Sequence, residues 1–210
     1  MMVMPANNSA KKIMTLADKY PGRLGWLIGP TARRKTRLRS NMPFALDNDA
    51  FTAWKDGTTW DEAAWMEMLE LAKFSGLDPL WVLVPDVVAD RNGTLEMWGK
   101  YSPAAKSYGW PLAFAVQDGM AAEDVPNGAE IVFVGGTTFW KWNTLPTWTT
   151  NFPRVHVGRV NEARRILTCE RLGVESVDGT GWFRDGTNGR RVKILEAWLS
   201  DPSMGVMELL

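Results

Sequence analysis

Residues 59–86 read TWDEAAWMEMLELAKFSGLDPLWVLVPD, which sets a helix directly ahead of a buried strand that ends in an acid. Thr59 can cap the helix, and Glu62 three residues later completes a capping box. Trp65, Met68, Leu69 and Ala72 fall at i, i+3, i+4 and i+7, the apolar face of an α-helix, and Gly76 supplies the stop. Residues 80–84 then form an unbroken apolar run of strand length, closed by Pro85 and Asp86.

The same punctuation recurs along the chain. PFALDNDAF (43–51), PLAFAVQDG (111–119), EIVFVGG (130–136), RVHVGRVN (154–161) and VESVDGT (174–180) are all short apolar runs that end in a polar or glycine signature. Helical patterns or turn-rich sequence separate them, with helices expected near residues 94–108, 161–173 and 190–199. Strand–helix alternation of this kind indicates a parallel α/β fold. The expectation is a compact (β/α)8 TIM-type barrel over residues 21–210, although 210 residues is short against the usual ~250. Counting RLGWLIGP (23–30) as the first, seven strands are convincing; MGVMELL (204–210) supplies an eighth, or the barrel is incomplete. Residues 1–20, with the polar stretch PANNSAKK, read as a peripheral segment. No repeat or interdomain linker is visible.

Lys+Arg and Asp+Glu both number 24, so overall charge advertises no polyanionic partner. Distribution says more. ARRKTRLRS (32–40) places Arg33, Arg34, Lys35, Arg37 and Arg39 together with no acid among them, a candidate track for phosphates. A lone Cys169 excludes an intrachain disulfide and a multi-cysteine zinc site. No run approaches about 18 consecutive apolar residues and no signal peptide is evident, so a cytoplasmic protein without a membrane partner is expected. Three of the twelve tryptophans, Trp140, Trp142 and Trp148, fall in TTFWKWNTLPTWTTNFP (137–153), read as a long loop. They either pack that loop onto the barrel or offer a platform for nucleic-acid bases.

Strand ends carry the reactive residues. In a barrel of parallel strands those ends converge on the face where such enzymes keep their active sites. Asp47, Asp86, Asp178, Gln117, Gly135 and Gly136 would meet there. Each also has a plainer reading, because Asp at a strand end often caps a helix or forms a turn, and a glycine pair often makes a tight turn. Asp49 and Asp90 are competing neighbours, read as a turn residue and a helix-start residue. His156, the only histidine, sits inside an apolar run and reads as a packed core residue. Arg159, at the mouth of its strand, would bind a phosphate or support a carboxylate.

Taken in order, these strand ends resemble the tRNA-guanine transglycosylase superfamily. They are most similar to its shorter phage and bacterial relatives, which exchange guanine for a 7-deazaguanine in DNA. The likeness runs from about residue 43 to residue 181. DNDAF (47–51) resembles the family's D-S-G-G-F, and VPD (84–86) its strand whose terminal Asp reads the base. FAVQDGM (114–120) resembles F-G-I-V-Q-G-G-M, and VFVGG (132–136) resembles A-V-G-G. VHVGRVN, a helix and then SVDG follow the family's G-x-G strand end and its F-D-C nucleophile strand.

The resemblance implies that Asp178 is a covalent nucleophile and Asp47 the group that carries a proton to and from the base. It also implies that Asp86 and Gln117 hydrogen-bond the base edge, that amide N–H groups around Gly135 and Gly136 approach the base closely, and that Phe51 lines its site. Base exchange suits such a set. A carboxylate holding the sugar divides one hard step into two, and one acid–base group can serve both in turn. Departures from the family are equally informative. Nothing here can form its C-x-C-x-x-C zinc site, and no appended RNA-binding domain fits the length. In DNDAF the small S-G-G is replaced by Asn48, Asp49 and Ala50, and Gly179 stands for the usual Cys.

The expected function is therefore DNA-guanine transglycosylation with a free 7-deazaguanine such as the 7-cyano form, using no metal or cofactor. Arg33, Arg34, Lys35, Arg37, Arg39 and Arg159 would hold the polymer. The resemblance further implies protection of a phage genome from restriction nucleases. Three alternatives stand beside it: the same chemistry on tRNA, a non-catalytic barrel that binds nucleic acid or supports a catalytic partner, and an unrelated barrel hydrolase acting on a free nucleoside or sugar.

Overall fold

Short apolar runs flanked by glycine, proline and acids fold into parallel strands, and the amphipathic segments between them become the outer helices. The computed structural model describes residues 1–7, 11–33, 35, 37–186 and 189–201. In chain order the elements are β1 (Met2–Met4), α1 (Lys11–Lys19), β2 (Trp26–Ile28), α2 (Pro30–Arg33), β3 (Phe44–Leu46) and α3 (Ala50–Asp56). Next come α4 (Glu62–Phe74), β4 (Val82–Leu83), α5 (Arg91–Lys106), β5 (Leu112–Val116), β6 (Ile131–Val134) and α6 (Thr138–Asn151). The last are β7 (Val155–Val157), α7 (Ala163–Arg171), β8 (Ser176–Asp178) and α8 (Arg190–Ser200).

Around the sheet the order is β1–β8–β7–β6–β5–β4–β3–β2, with every neighbouring pair parallel. The two ends of that order meet through parallel bridges Val3–Leu24 and Ala6–Leu27. Across this seam Val3 N donates to Arg23 O and Gly25 N donates to Val3 O. The protein is a (β/α)8 TIM-type barrel.

The eighth strand is not where the sequence reading sought it. Residues 204–210 lie outside the described residues, and Met2–Met4 supplies the strand by pairing with Ser176–Asp178. Residues 1–20, expected to be peripheral, thus hold a barrel strand and a covering helix whose Ile13, Leu16 and Ala17 are buried. Compactness has two sources. Strands run only two to five residues, and a 3₁₀ turn at Ala122–Asp124 joins β5 to β6 where a helix would usually stand.

Strand residues alternate between two environments. Val82, Leu112, Phe114, Val132 and Val157 face the helices in the main core. Met4, Leu27, Ala45, Trp81, Leu83, Ala113, Ala115 and Ile131 form a separate cluster inside the barrel. Small Ala45, Ala113 and Ala115 leave room for Trp81, whose ring meets the rings of Phe133 and His156 edge-on at 6.0 and 4.9 Å.

Several element boundaries differ from the sequence reading for local reasons. Helix α4 is capped by Asp61, whose carboxylate accepts from Ala64 N at 2.9 Å, rather than by Thr59. The tryptophan-rich stretch is a helix, α6, and not a loop. Thr137 caps it, and Lys141, Leu145 and Trp148 form its buried i, i+4, i+7 face. Among the described residues no helix is long and apolar enough to cross a membrane.

Candidate active site

A cavity of about 510 Å³ opens at the carboxyl ends of the strands. Ala6 and Asn7 after β1, Asp47 after β3, Asp86 after β4, Gln117 after β5, Gly135 and Gly136 after β6, Arg159 after β7 and Asp178 at the end of β8 all line it. Phe51 on α3 closes one side, and its ring carries the Arg159 guanidinium at 4.3 Å. The structure thus brings together Asp47, Phe51, Asp86, Gln117, Gly135, Gly136, Arg159 and Asp178.

Asp178 is 5% exposed and each of its carboxylate oxygens has a neighbour. Arg159 N donates to Oδ1 at 3.1 Å, and His156 Nε2 lies 3.1 Å from Oδ2. Arg159 reaches that position in a left-handed backbone conformation (φ 62°), a strained state for a residue with a Cβ. Such strain persists only where surrounding contacts enforce it. Here Val160 N also donates to Asp178 O at 2.6 Å, and the guanidinium donates to Gly136 O. Gly158 is needed beneath, because a Cβ there would lie 2.9 Å from the Phe133 ring.

Asp47 is half-buried at the mouth, with Asn48 N donating to its Oδ1 at 2.8 Å. Burial first, then the charges of Asp49 and Asp178, push its carboxyl well above the ordinary carboxylate range. Asp86 is clamped: Asn48 Nδ2 donates to Oδ1 at 2.7 Å and Gln117 Nε2 to Oδ2 at 2.6 Å. Burial pushes it up to about 6, with Asn48 and Arg159 opposing the rise. Asp49 and Asp90 have structural duties instead. Asp49 accepts from Thr31 N at 3.0 Å and Asp90 caps α5 through Gly93 N at 3.1 Å.

Three expectations need correction, and one pair of alternatives is decided. Gln117 Oε1 already accepts from Gly136 N and Ala89 N, both at 3.0 Å, so the side chain braces Asp86 rather than reading a base edge with its carbonyl. Gly135 N likewise donates to Val116 O at 3.1 Å, so the glycine pair offers the cavity a bare backbone surface and no free amide donors. Arg159 lines the pocket and supports Asp178 through its backbone, which is the second of its two sequence readings. Arg33 is buried against α4, donating to Leu71 O at 2.6 Å, and cannot serve as an exposed phosphate contact. Of its neighbours, Arg39 lies 3.6 Å from Asp18, Lys35 and Arg37 are exposed, and Arg34 lies outside the described residues.

Asn48 and Lys55 line the cavity and were not singled out as site residues from sequence, and His156, read as a packed core residue, reaches it only through Asp178. Asn48 ties two strand ends together through Val84 O and Asp86, and the only signal was an amide in place of a small residue in DNDAF. Lys55 and Arg184 are exposed cations on the rim. Among the described residues no cluster of three or more His, Cys, Asp or Glu is arranged to hold a metal ion. No protein-family model matches the chain, and no curated protein matches its sequence.

Proposed function

We propose that the protein is a base-exchanging transglycosylase that replaces guanine in DNA with a 7-deazaguanine. One observation carries this reading: a carboxyl group pushed toward its neutral form, Asp47, shares a cavity with a carboxylate braced on both oxygens, Asp178. Two carboxyl groups held in different environments are the usual basis for dividing acid and nucleophile roles at a sugar.

In the first step an Asp178 oxygen bonds to C1′ of the target nucleotide as the N-glycosidic bond breaks, and Asp47 gives its proton to the departing guanine. In the second, the ring nitrogen of the incoming base bonds to C1′, the Asp178 ester bond breaks, and Asp47 recovers a proton from that nitrogen. No net proton or electron is consumed. Asp86 serves as acceptor for N–H donors of the base, with Asn48 and Gln117 fixing its plane. Phe51 and Arg159 form the wall, and Lys55 and Arg184 meet the polymer at the rim. The cavity volume lies within the range of small-molecule sites, and the target base must leave the stack to enter it.

The test is incubation with labelled guanine and either duplex DNA or tRNA. Label entering DNA is expected, with Asp178→Asn abolishing it and a denaturation-stable protein–DNA adduct trapped only with the unaltered protein. Label entering tRNA alone would move the polymer assignment. Binding without exchange, or cleavage of free nucleosides only, would overturn the reading.

A further inference from the structure

We propose that His156 is a positioning residue for Asp178, holding its carboxylate from inside the barrel as the Nε2–H tautomer. The inference rests on the reading of Asp178 as nucleophile, but its structural half can be tested apart from that reading.

The imidazole is fully buried and is not among the cavity-lining residues. Both ring nitrogens have partners on β8: Nδ1 lies 2.8 Å from Ser176 Oγ and Nε2 lies 3.1 Å from Asp178 Oδ2. Ser176 and Asp178 are two residues apart on one strand and so point to the same face. A carboxylate oxygen accepts, so Nε2 carries the hydrogen, and Nδ1 is left to accept from the Ser176 hydroxyl. The carboxylate thereby decides which nitrogen faces it with a hydrogen, and the hydroxyl, which can donate or accept, adapts to that choice. The ring cannot turn away. Phe133 stacks on it at 4.8 Å with 27° between planes, and Trp81 meets it edge-on at 4.9 Å.

These contacts exclude one other role: a ring shut off from the cavity by Phe133, Trp81 and Asp178 does not touch substrate. The ring does pack in the interior, as the sequence reading has it, and both nitrogens need partners there. That one of those partners is the cavity-lining Asp178 gives the ring a second duty, as a donor that fixes the plane of Asp178 together with Arg159 N. The hydrogen bond is stronger to a carboxylate than to the ester formed from it, so it favours release of the sugar to the incoming base.

The chain has one histidine, so histidine labelled with ¹⁵N and built into the full-length protein gives a single imidazole spectrum. A protonated Nε2 and a bare Nδ1 are expected, with both signals moving in Asp178→Ala. In exchange assays His156→Phe should lower the melting temperature, because buried Ser176 Oγ and Asp178 Oδ2 lose a partner, and keep the KM for the base while kcat falls about 10- to 100-fold, the scale seen when partners that orient metal ligands are removed. His156→Gln, which returns a donor near Nε2, should recover most of that loss. The opposite tautomer, a spectrum indifferent to Asp178→Ala, or an unchanged kcat in His156→Phe overturns the proposal. If His156→Phe does not fold, the glutamine variant and the spectrum decide. If the unaltered protein exchanges base with neither polymer, the functional reading fails and the spectrum alone decides the His156–Asp178 bond.

Discussion

Gln117 Nε2 donates to Asp86 Oδ2 at 2.6 Å while Gln117 Oε1 accepts from the backbone of both Gly136 and Ala89. One buried amide therefore joins the end of β5 to the turn after β6, to the loop after β4 and to the carboxylate aimed into the cavity. Gly136 N can turn toward it because Gly136 has a φ of 66°, and a Cβ there would sit 2.5 Å from Asp118 Oδ2. Gln117→Ala leaves two backbone N–H groups and one carboxylate oxygen without these partners. Orphaned buried groups cost about 1–3 kcal/mol each, and water from the cavity can replace part of that. A loss of about 2–3 kcal/mol in denaturant unfolding is expected. A variant as stable as the parent would show that the amide is dispensable.

Asp47→Asn should separate stability from activity. Its half-buried carboxyl feels the charges of Asp49, Asp178 and Asp86, and an amide there removes that repulsion while its oxygen can still accept from Asn48 N. Because the folded-state pKa lies above the ordinary 3.8, Asp47 favours the fold fully below about pH 4 and loses that contribution as pH rises through its folded value. Asp86 behaves in the same way between about 4 and about 6. The stability gain from Asp47→Asn should therefore be absent near pH 4 and greatest at neutral pH and above. Exchange should fall by roughly 100-fold or more. A stability difference that shrinks with rising pH would reverse the assignment.

The sequence made the barrel legible because its signal is local. Leu112–Val116 and Ile131–Val134 lie where the apolar runs put them, and Trp65, Met68, Leu69 and Ala72 form the buried face of α4. The strand ends carried the site for the same reason, since parallel strands all deliver their last residues to one face. What was not legible depends on distant partners. Met2–Met4 is only three residues long, and it is a strand because it pairs with β8. Residues 138–151 are rich in threonine and aromatics and contain Pro146, all poor for helix propensity, yet burial of Leu145 and Trp148 overrides this. The basic run offered charge without depth, and nothing local shows that Arg33 turns inward to Leu71 O.

That inward turn changes which cations should hold a polymer. Lys55 and Arg184 are exposed on the rim, whereas Arg33 is buried. Removing one cation that neutralises a phosphate should lower the salt dependence of binding by about one unit of slope. Replacing Lys55 and Arg184 together by Ala should flatten the slope for DNA by about two. Arg33→Ala should leave the slope alone and instead lower stability by about 1–2 kcal/mol, through loss of the bond to Leu71 O. A double rim variant with the parental slope would place the phosphates elsewhere, with exposed Lys35 and Arg37 the next to replace.

Lys141 supplies a pH signature of the opposite sign. Its side chain is 2% exposed behind the site, with Nζ donating to Gly158 O. Burial, aided by the charge of Arg159 and opposed by that of Asp178, lowers its pKa from 10.5 to about 7. Between those two values the unfolded chain holds a proton that the folded chain does not, so stability from this group rises with pH across that window. Below about 7 the buried ammonium is charged in both states and the fold bears its full desolvation cost. Lys141→Met keeps the length of the side chain and removes the titration. The variant should compare best with the parent at pH 6 and lose ground steadily as pH rises toward 10. Unfolding curves at four or five pH values suffice, and parallel pH profiles for the two proteins would mean that Lys141 keeps its proton in the fold.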